Sequence, residues 1–209
     1  MSKSVLNRRD QIRDKALEMF NERGIEYVGL REIAGVLEMR VSNITYYFPT
    51  KDDLVYELTL QLSKANAAII VADDGLNMSG FLTMMRSVFT NQLGYRCLML
   101  SFVHVMAQNK KVAASYKKTQ ARRNTTIASN ITALSAGGYL RLADEEEKDF
   151  LVSTLALISR FWISEAAISF KQWSEAAQID HYLSMVAKLL LPYATAKGKR
   201  EIAGFLSKD

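Results

Sequence analysis

The chain has 209 residues, 49% hydrophobic and 23% charged, which suits one ordinary globular domain or two small ones and excludes a disordered or low-complexity protein. Ten glycines and two prolines leave little punctuation for an all-β sandwich, and the single cysteine, Cys97, excludes an intramolecular disulfide or a thiolate metal cluster. The formal charge of +5 is too small to name a nucleic-acid partner, and residues 1–53 hold as many acidic as basic groups, so placement matters more than sum.

The first helix is expected over Arg8–Arg23, where Ile12, Ala16, Met19 and Phe20 recur at helical spacing, with Gly24 as its stop. A second short helix carries Leu30, Ile33, Ala34 and Leu37 on one face. After a break at Glu38 and Met39, Val41–Phe48 forms a third, ended by Pro49. Thr50 then caps a fourth helix, with Asp53 reaching back to the cap, and its stripe Leu54, Leu58, Leu62 and Ala65 runs toward a stop at Asp73-Asp74-Gly75. Further helices are expected over Ser79–Leu93, Cys97–Gln108, Lys111–Ser135, Asp144–Gln172 and Ile179–Tyr193, with a loosely attached helical tail over Lys197–Asp209.

Met1–Asp10 is polar with no apolar stretch behind it, so no secretory signal is expected and the chain reads as cytoplasmic. The longest apolar tract, Phe150–Phe170, is about the length of a membrane span. Arg160 and Glu165 near its middle would each cost roughly 2.5–3.5 kcal/mol in hydrocarbon, so a buried helix is expected and no membrane partner. The two histidines, His104 and His181, would need carboxylates to complete a zinc site, and neither a metal nor a cofactor is expected.

Three short helices with a tight turn between the second and third make a helix-turn-helix, whose third helix enters the DNA major groove. The side chains of Arg40, Val41, Ser42, Asn43, Thr45, Tyr46 and Tyr47 fit that role. Ser42, Asn43 and Thr45 are short hydrogen-bonding groups, the two tyrosines have tips that reach phosphate, and Arg40 brings a guanidinium fork. Arg31 and Lys51 stand at the starts of the second and fourth helices, where backbone N–H groups also cradle phosphate. The other reading of Tyr46 and Tyr47 is that both are core aromatics.

Ile12, Ala16-Leu17, Phe20, Gly24, Ile33-Ala34 and the run Asn43-Ile44-Thr45-Tyr46-Tyr47-Phe48-Pro49-Thr50-Lys51-Asp52-Asp53-Leu54 resemble the DNA-binding segment of TetR-family transcriptional regulators. The resemblance implies an all-α fold: an N-terminal three-helix bundle with the helix-turn-helix, residues 1–52, and a C-terminal helical effector-binding and dimerisation domain, residues 53–209. It places Phe48 inside. Where the family often has glycine in the turn, this chain has Glu38, which a positive φ would strain by about a kcal/mol or more. Ser42, Thr45, Tyr47 and Gly29 also depart from the usual residues.

The resemblance implies a pocket for a small, largely apolar effector in the middle of the chain. Met85, Phe89, Phe102, His104, Met106, Phe161 and Trp162 are candidates, against plain core packing for any one of them. The helices after residue 144 are apolar on more than one face, which suggests burial against a partner as well as the chain itself. Leu151, Leu155, Ile158, Trp162, Leu183, Val186 and Leu190 are the candidates for a two-fold homodimer interface. The basic stretch Lys110, Lys111, Lys117, Lys118, Arg122 and Arg123 reads first as a solvated face scattered round a helix, then as a partner for the acids at 144–149, and last as a second DNA surface. No nucleophile elbow, phosphate loop or acid–base pair points to an enzyme. The expected function is a ligand-responsive repressor binding a palindromic operator in double-stranded DNA as a homodimer; the alternative is a helical small-molecule carrier without DNA binding.

Overall fold

The computed structural model describes residues 7–69 and 75–207; of the expected stop of the fourth helix at Asp73-Asp74-Gly75, Asp73 and Asp74 lie outside them. The described residues form α1 (Arg8–Arg23), α2 (Leu30–Val36), α3 (Val41–Tyr47), α4 (Lys51–Ile69), α5 (Met78–Gly94), α6 (Arg96–Leu100), α7 (Phe102–Gln108), α8 (Lys110–Ala136), α9 (Glu145–Ser169), α10 (Glu175–Leu190) and α11 (Ala196–Leu206). An isolated antiparallel bridge joins Leu140 to Ala194. The helices fall into two units: Met1–Lys64 with Gly94–Tyr116, and Ala65–Leu93 with Lys117–Asp209.

In the first unit, α1 buries Ile12, Ala16, Met19 and Phe20 against Ile33 and Ala34 of α2, Ile44 of α3 and Leu54, Val55 and Leu58 of α4. Asn7 caps α1 by accepting from the Arg9 N–H at 3.1 Å, and Gly24, at φ 93°, ends it. The capping box expected at α4 is complete. Thr50 Oγ1 accepts from the Asp53 N–H at 3.2 Å, and Asp53 Oδ2 accepts from the Thr50 N–H at 3.1 Å.

The helix expected over Cys97–Gln108 is two helices. The chain breaks at Ser101, which is buried and turns its hydroxyl to Glu26 Oε2 at 2.9 Å. Apolar periodicity runs straight through that break, so the pattern did not mark it. Asn21 of α1 binds this corner from the side: its Nδ2 donates to the Gly94 carbonyl at 2.8 Å, and its Oδ1 accepts from the Cys97 N–H at 3.0 Å.

The core of the second unit joins α5, α9 and α10. Phe89 stacks on Trp162 at 4.9 Å, and Trp162 lies 5.5 Å from Tyr182. Gln92, itself buried, accepts from Trp162 Nε1 at 2.7 Å and donates to the Ser159 carbonyl at 2.9 Å, so its amide and the indole N–H are both paired. Helix α9 is long and apolar enough to cross a membrane by length and composition, yet Leu151, Leu155, Trp162 and Ala166 pack into this core.

Two boundaries differ from expectation. Helix α9 stops at Ser169, and α10 begins at Glu175 because Ser174 accepts from the Ala177 N–H at 3.2 Å, a cap that apolar spacing does not reveal. The tail is firmly docked. Helix α11 buries Ile202 and Phe205, and Glu201 accepts from the Ser79 N–H at 3.0 Å, capping α5. Gly198 crosses so close to Tyr139 that a Cβ there would lie 2.2 Å from its carbonyl oxygen.

Candidate nucleic-acid interface

Helix α3 has two opposed faces. Ile44 is fully buried and Phe48, just beyond the helix, is 2% exposed, so both anchor it to α1 and α4. Outward stand Ser42 and Tyr46, the latter 79% exposed, with Arg40 exposed at the N-cap and Arg31 exposed on α2. Asn43 and Thr45 are half-buried, and Thr45 Oγ1 donates to the Ser42 carbonyl at 3.3 Å. Val41 and Tyr47 are half-buried and pack against the core, so the two adjacent tyrosines divide. Tyr46 faces solvent, and its ring meets that of Tyr47 edge-on at 4.9 Å.

The turn ahead of α3 is a Schellman closure of α2. The Met39 N–H donates to the Ala34 carbonyl at 3.0 Å and the Glu38 N–H to the Gly35 carbonyl at 3.1 Å. That closure needs a left-handed residue, and Glu38 supplies it at φ 52°. The strain expected from the sequence is therefore present, in the turn that aims the recognition helix.

Lys51 is not directed outward like Arg40. Its Nζ donates to the Ile25 carbonyl at 2.8 Å, stapling the first turn of α4 to the turn after α1. Arg9 is also committed inward: it pairs with both carboxylate oxygens of Glu57, at 2.7 and 3.2 Å, over the Phe48 ring. The hydrogen bond to Glu57 raises the Arg9 pKa above its ordinary value. Glu32 is held below the usual carboxylate range by the Gly29 N–H and then by Arg23.

The basic stretch on α8 departs from expectation in two ways. At about 100° per residue, Lys110, Lys111, Lys117, Lys118 and Arg122 share one exposed arc and do not scatter. Lys111 pairs with Asp53 at the start of α4, and not with the acids at 144–149. Its ammonium, followed by Thr50, holds the Asp53 carboxyl below its usual range. Asn109 adds a second link, its Nδ2 donating to the Asp52 carbonyl at 2.9 Å. Neither contact with α4 is visible in the sequence, because each residue meets its partner 57 or 58 positions away.

The other candidates are distributed as follows. Met85, Phe89 and Trp162 are buried in the second unit, with Phe161 half-buried there. Phe102 and Met106 are half-buried in the first unit, where Phe102 meets Tyr116 at 5.2 Å. His104 is exposed on α7, which corrects its expected place among pocket-lining groups. Of the interface candidates, Leu151, Leu155, Leu183, Val186 and Leu190 are fully buried, Trp162 is 2% exposed and Ile158 is half-buried. Six of the seven are thus the chain's own core and have no surface left for a partner. The apolar groups that do face outward on these helices are Phe150, Leu157 and Ile168 of α9 and Met185 of α10. Burial pushes the Cys97 thiol up to about 12, which leaves it protonated and inert at neutral pH. No group of three or more potential metal ligands occurs among the described residues.

A helix-turn-helix unit joined to a second helical unit is the architecture of a bacterial transcriptional regulator, and comparison with known proteins agrees. The family described as bacterial regulatory proteins, tetR family, matches residues 12–58, and the one described as TetR, bacterial transcriptional repressor, matches residues 61–202. The chain belongs to the TetR family of bacterial transcriptional regulators. It is 42% identical over 55 residues to the HTH-type transcriptional regulator LuxR of Vibrio harveyi, a match spanning 26% of this chain and 27% of that protein. A TetR-family regulator from Marinobacter aquaeolei VT8 shares the fold at a TM-score of 0.89 and 20% identity, over 97% of this chain and 98% of that one. A regulator from Saccharomonospora viridis, solved in complex with choline, has a TM-score of 0.66 and 20% identity, over 85% and 94% of the two chains.

Proposed function

We propose that the chain is a ligand-responsive repressor that binds a palindromic operator in double-stranded DNA as a homodimer, with residues 1–52 as the DNA-binding domain and residues 53–209 as the effector-binding and dimerisation domain. The observation that carries this reading is the split character of α3: Ile44 and Phe48 buried behind it, and Arg40, Ser42 and Tyr46 exposed in front. Short polar side chains, an arginine fork and a phenolic tip on one short helix suit base edges and flanking phosphates. Lys51 then serves mainly to hold the reading surface.

The homodimer is supported by the exposed apolar stripe Phe150, Leu157 and Ile168 on α9, flanked by Met185. These positions recur near multiples of 3.6 and so lie along one side of the helix. A two-fold dimer presents two copies of α3, which matches a palindromic site. The effector is read as a small, largely apolar molecule taken up within residues 53–209. The choline complex of the Saccharomonospora viridis protein is a precedent for small-molecule binding in this fold. Such a ligand releases DNA only by favouring the conformation that does not bind it.

Selection of binders from a random duplex library tests the reading. Enrichment of a palindrome, and loss of its binding on Arg40→Ala, are expected. A failure to enrich any sequence from ligand-free protein would refute it and favour a carrier without DNA binding.

A further inference from the structure

We propose that Asn109 and Lys111 are positioning residues for DNA binding, fixing the first turn of α4, and through it the recognition helix α3, from the first turn of α8. This rests on the operator-binding reading above and extends it to residues far outside the helix-turn-helix.

Asn109 is 2% exposed and uses its amide twice. Oδ1 accepts from the Val112 N–H at 3.0 Å and caps α8, while Nδ2 donates to the Asp52 carbonyl at 2.9 Å. The two partners fix the amide's orientation, since one is a donor and the other an acceptor. Capping alone is done as well by serine or threonine. The second arm is what asparagine adds, and it ends on the backbone of α4.

Lys111 stands half a turn further along α8 and pairs with Asp53. The same carboxylate accepts from the Thr50 N–H at 3.1 Å and the Thr50 hydroxyl at 2.8 Å. Only Phe48, Pro49 and Thr50 separate α3 from α4, and Phe48 is locked in the core. Lys51 ties the same turn to the Ile25 carbonyl. The first turn of α4 is thus a junction between the recognition helix, the turn after α1 and the start of α8. The segment 94–111 is also pinned at its other end, where Asn21 bonds Gly94 and Cys97. It is held to the reading head at both ends, and α8 continues from it to Ala136. A shift of the start of α8 therefore acts on α3 through Asp52 and Asp53.

The test uses the full-length protein and the duplex recovered by selection, with binding followed by anisotropy over a salt series. Asn109→Ser keeps a capping oxygen but is too short to reach Asp52. It is expected to weaken operator binding roughly tenfold with helix content and subunit mass unchanged. Because no phosphate contact is lost, the slope of log affinity against log salt should stay at the wild-type value. Lys111→Gln should act in the same direction with the same unchanged slope, and Lys111→Arg should restore binding.

A folded Asn109→Ser protein with wild-type affinity overturns the proposal. So does a Lys111→Gln protein whose salt slope falls by about one, which marks a direct phosphate contact. If Asn109→Ser does not fold, the Lys111 pair carries the test, since Lys111 is largely exposed. Arg40→Ala is the control on the underlying reading: unchanged affinity there would remove both inferences, whereas loss there with wild-type behaviour at 109 and 111 removes only this one.

Discussion

The ammonium of Lys51 donates to the backbone carbonyl of Ile25 at 2.8 Å, joining the first turn of α4 to the turn that follows α1. A lysine in the position that sequence resemblance assigns to DNA contact is thus also part of the scaffold. Arg40, the N-cap of α3, has no such structural duty at its exposed site. The two substitutions should therefore separate. Lys51→Ala should lower unfolding free energy by about 1 kcal/mol and weaken DNA binding; Arg40→Ala should weaken DNA binding alone. Urea titration beside duplex anisotropy reads both, and equal stability of the two variants would contradict the staple.

Glu38 holds a left-handed conformation at φ 52° in the turn before α3. Glycine takes that conformation without a Cβ penalty, although it also gains freedom in the unfolded chain. Glu38→Gly should raise stability by about 0.5–1 kcal/mol. A lower urea midpoint would show that the Glu38 side chain contributes more than its backbone strain costs.

Much of this was legible in the sequence. Helices α1 to α4, the Thr50–Asp53 cap and the strained turn follow from local signals: apolar spacing, a stop glycine, a capping pair and a missing glycine. The split of Tyr46 from Tyr47 was not, because adjacent residues on a seven-residue helix carry no periodicity that says which one leans on the core. The links of Asn109 and Lys111 to α4 depend on a meeting of distant segments that no local pattern encodes. Leu151, Leu155 and Leu183 looked like interface residues because a helix apolar on two sides does not announce which side faces its own domain.

That reversal changes which substitution tests the dimer. Leu157 is 55% exposed on α9, so Leu157→Glu should give a folded monomer in light scattering. Trp162 is 2% exposed and bonded to Gln92, so Trp162→Glu should abolish folding rather than dissociate subunits. A Leu157→Glu protein with the mass of the wild type would contradict the assignment of that face.

Asp53 titrates in a way that fixes a pH dependence. Lys111 first and Thr50 second hold its folded pKa below the ordinary 3.8. A depressed carboxylate stabilises the fold fully above its unfolded pKa and loses that contribution as pH falls through the folded value. The stability difference between wild type and Asp53→Asn should be constant from pH 7 to about 5 and shrink below about 4. Added salt should reduce the part due to Lys111, whose side chain is largely exposed. A difference that grows on acidification would contradict the pairing.

The most direct measurement of the central claim is the stoichiometry and salt dependence of binding to the selected duplex, by sedimentation and anisotropy. Two chains on one palindrome, with affinity falling steeply in log salt and lost on Arg40→Ala, is the expected result. Weak binding that is indifferent to sequence and to Arg40 would contradict a reading head on α3.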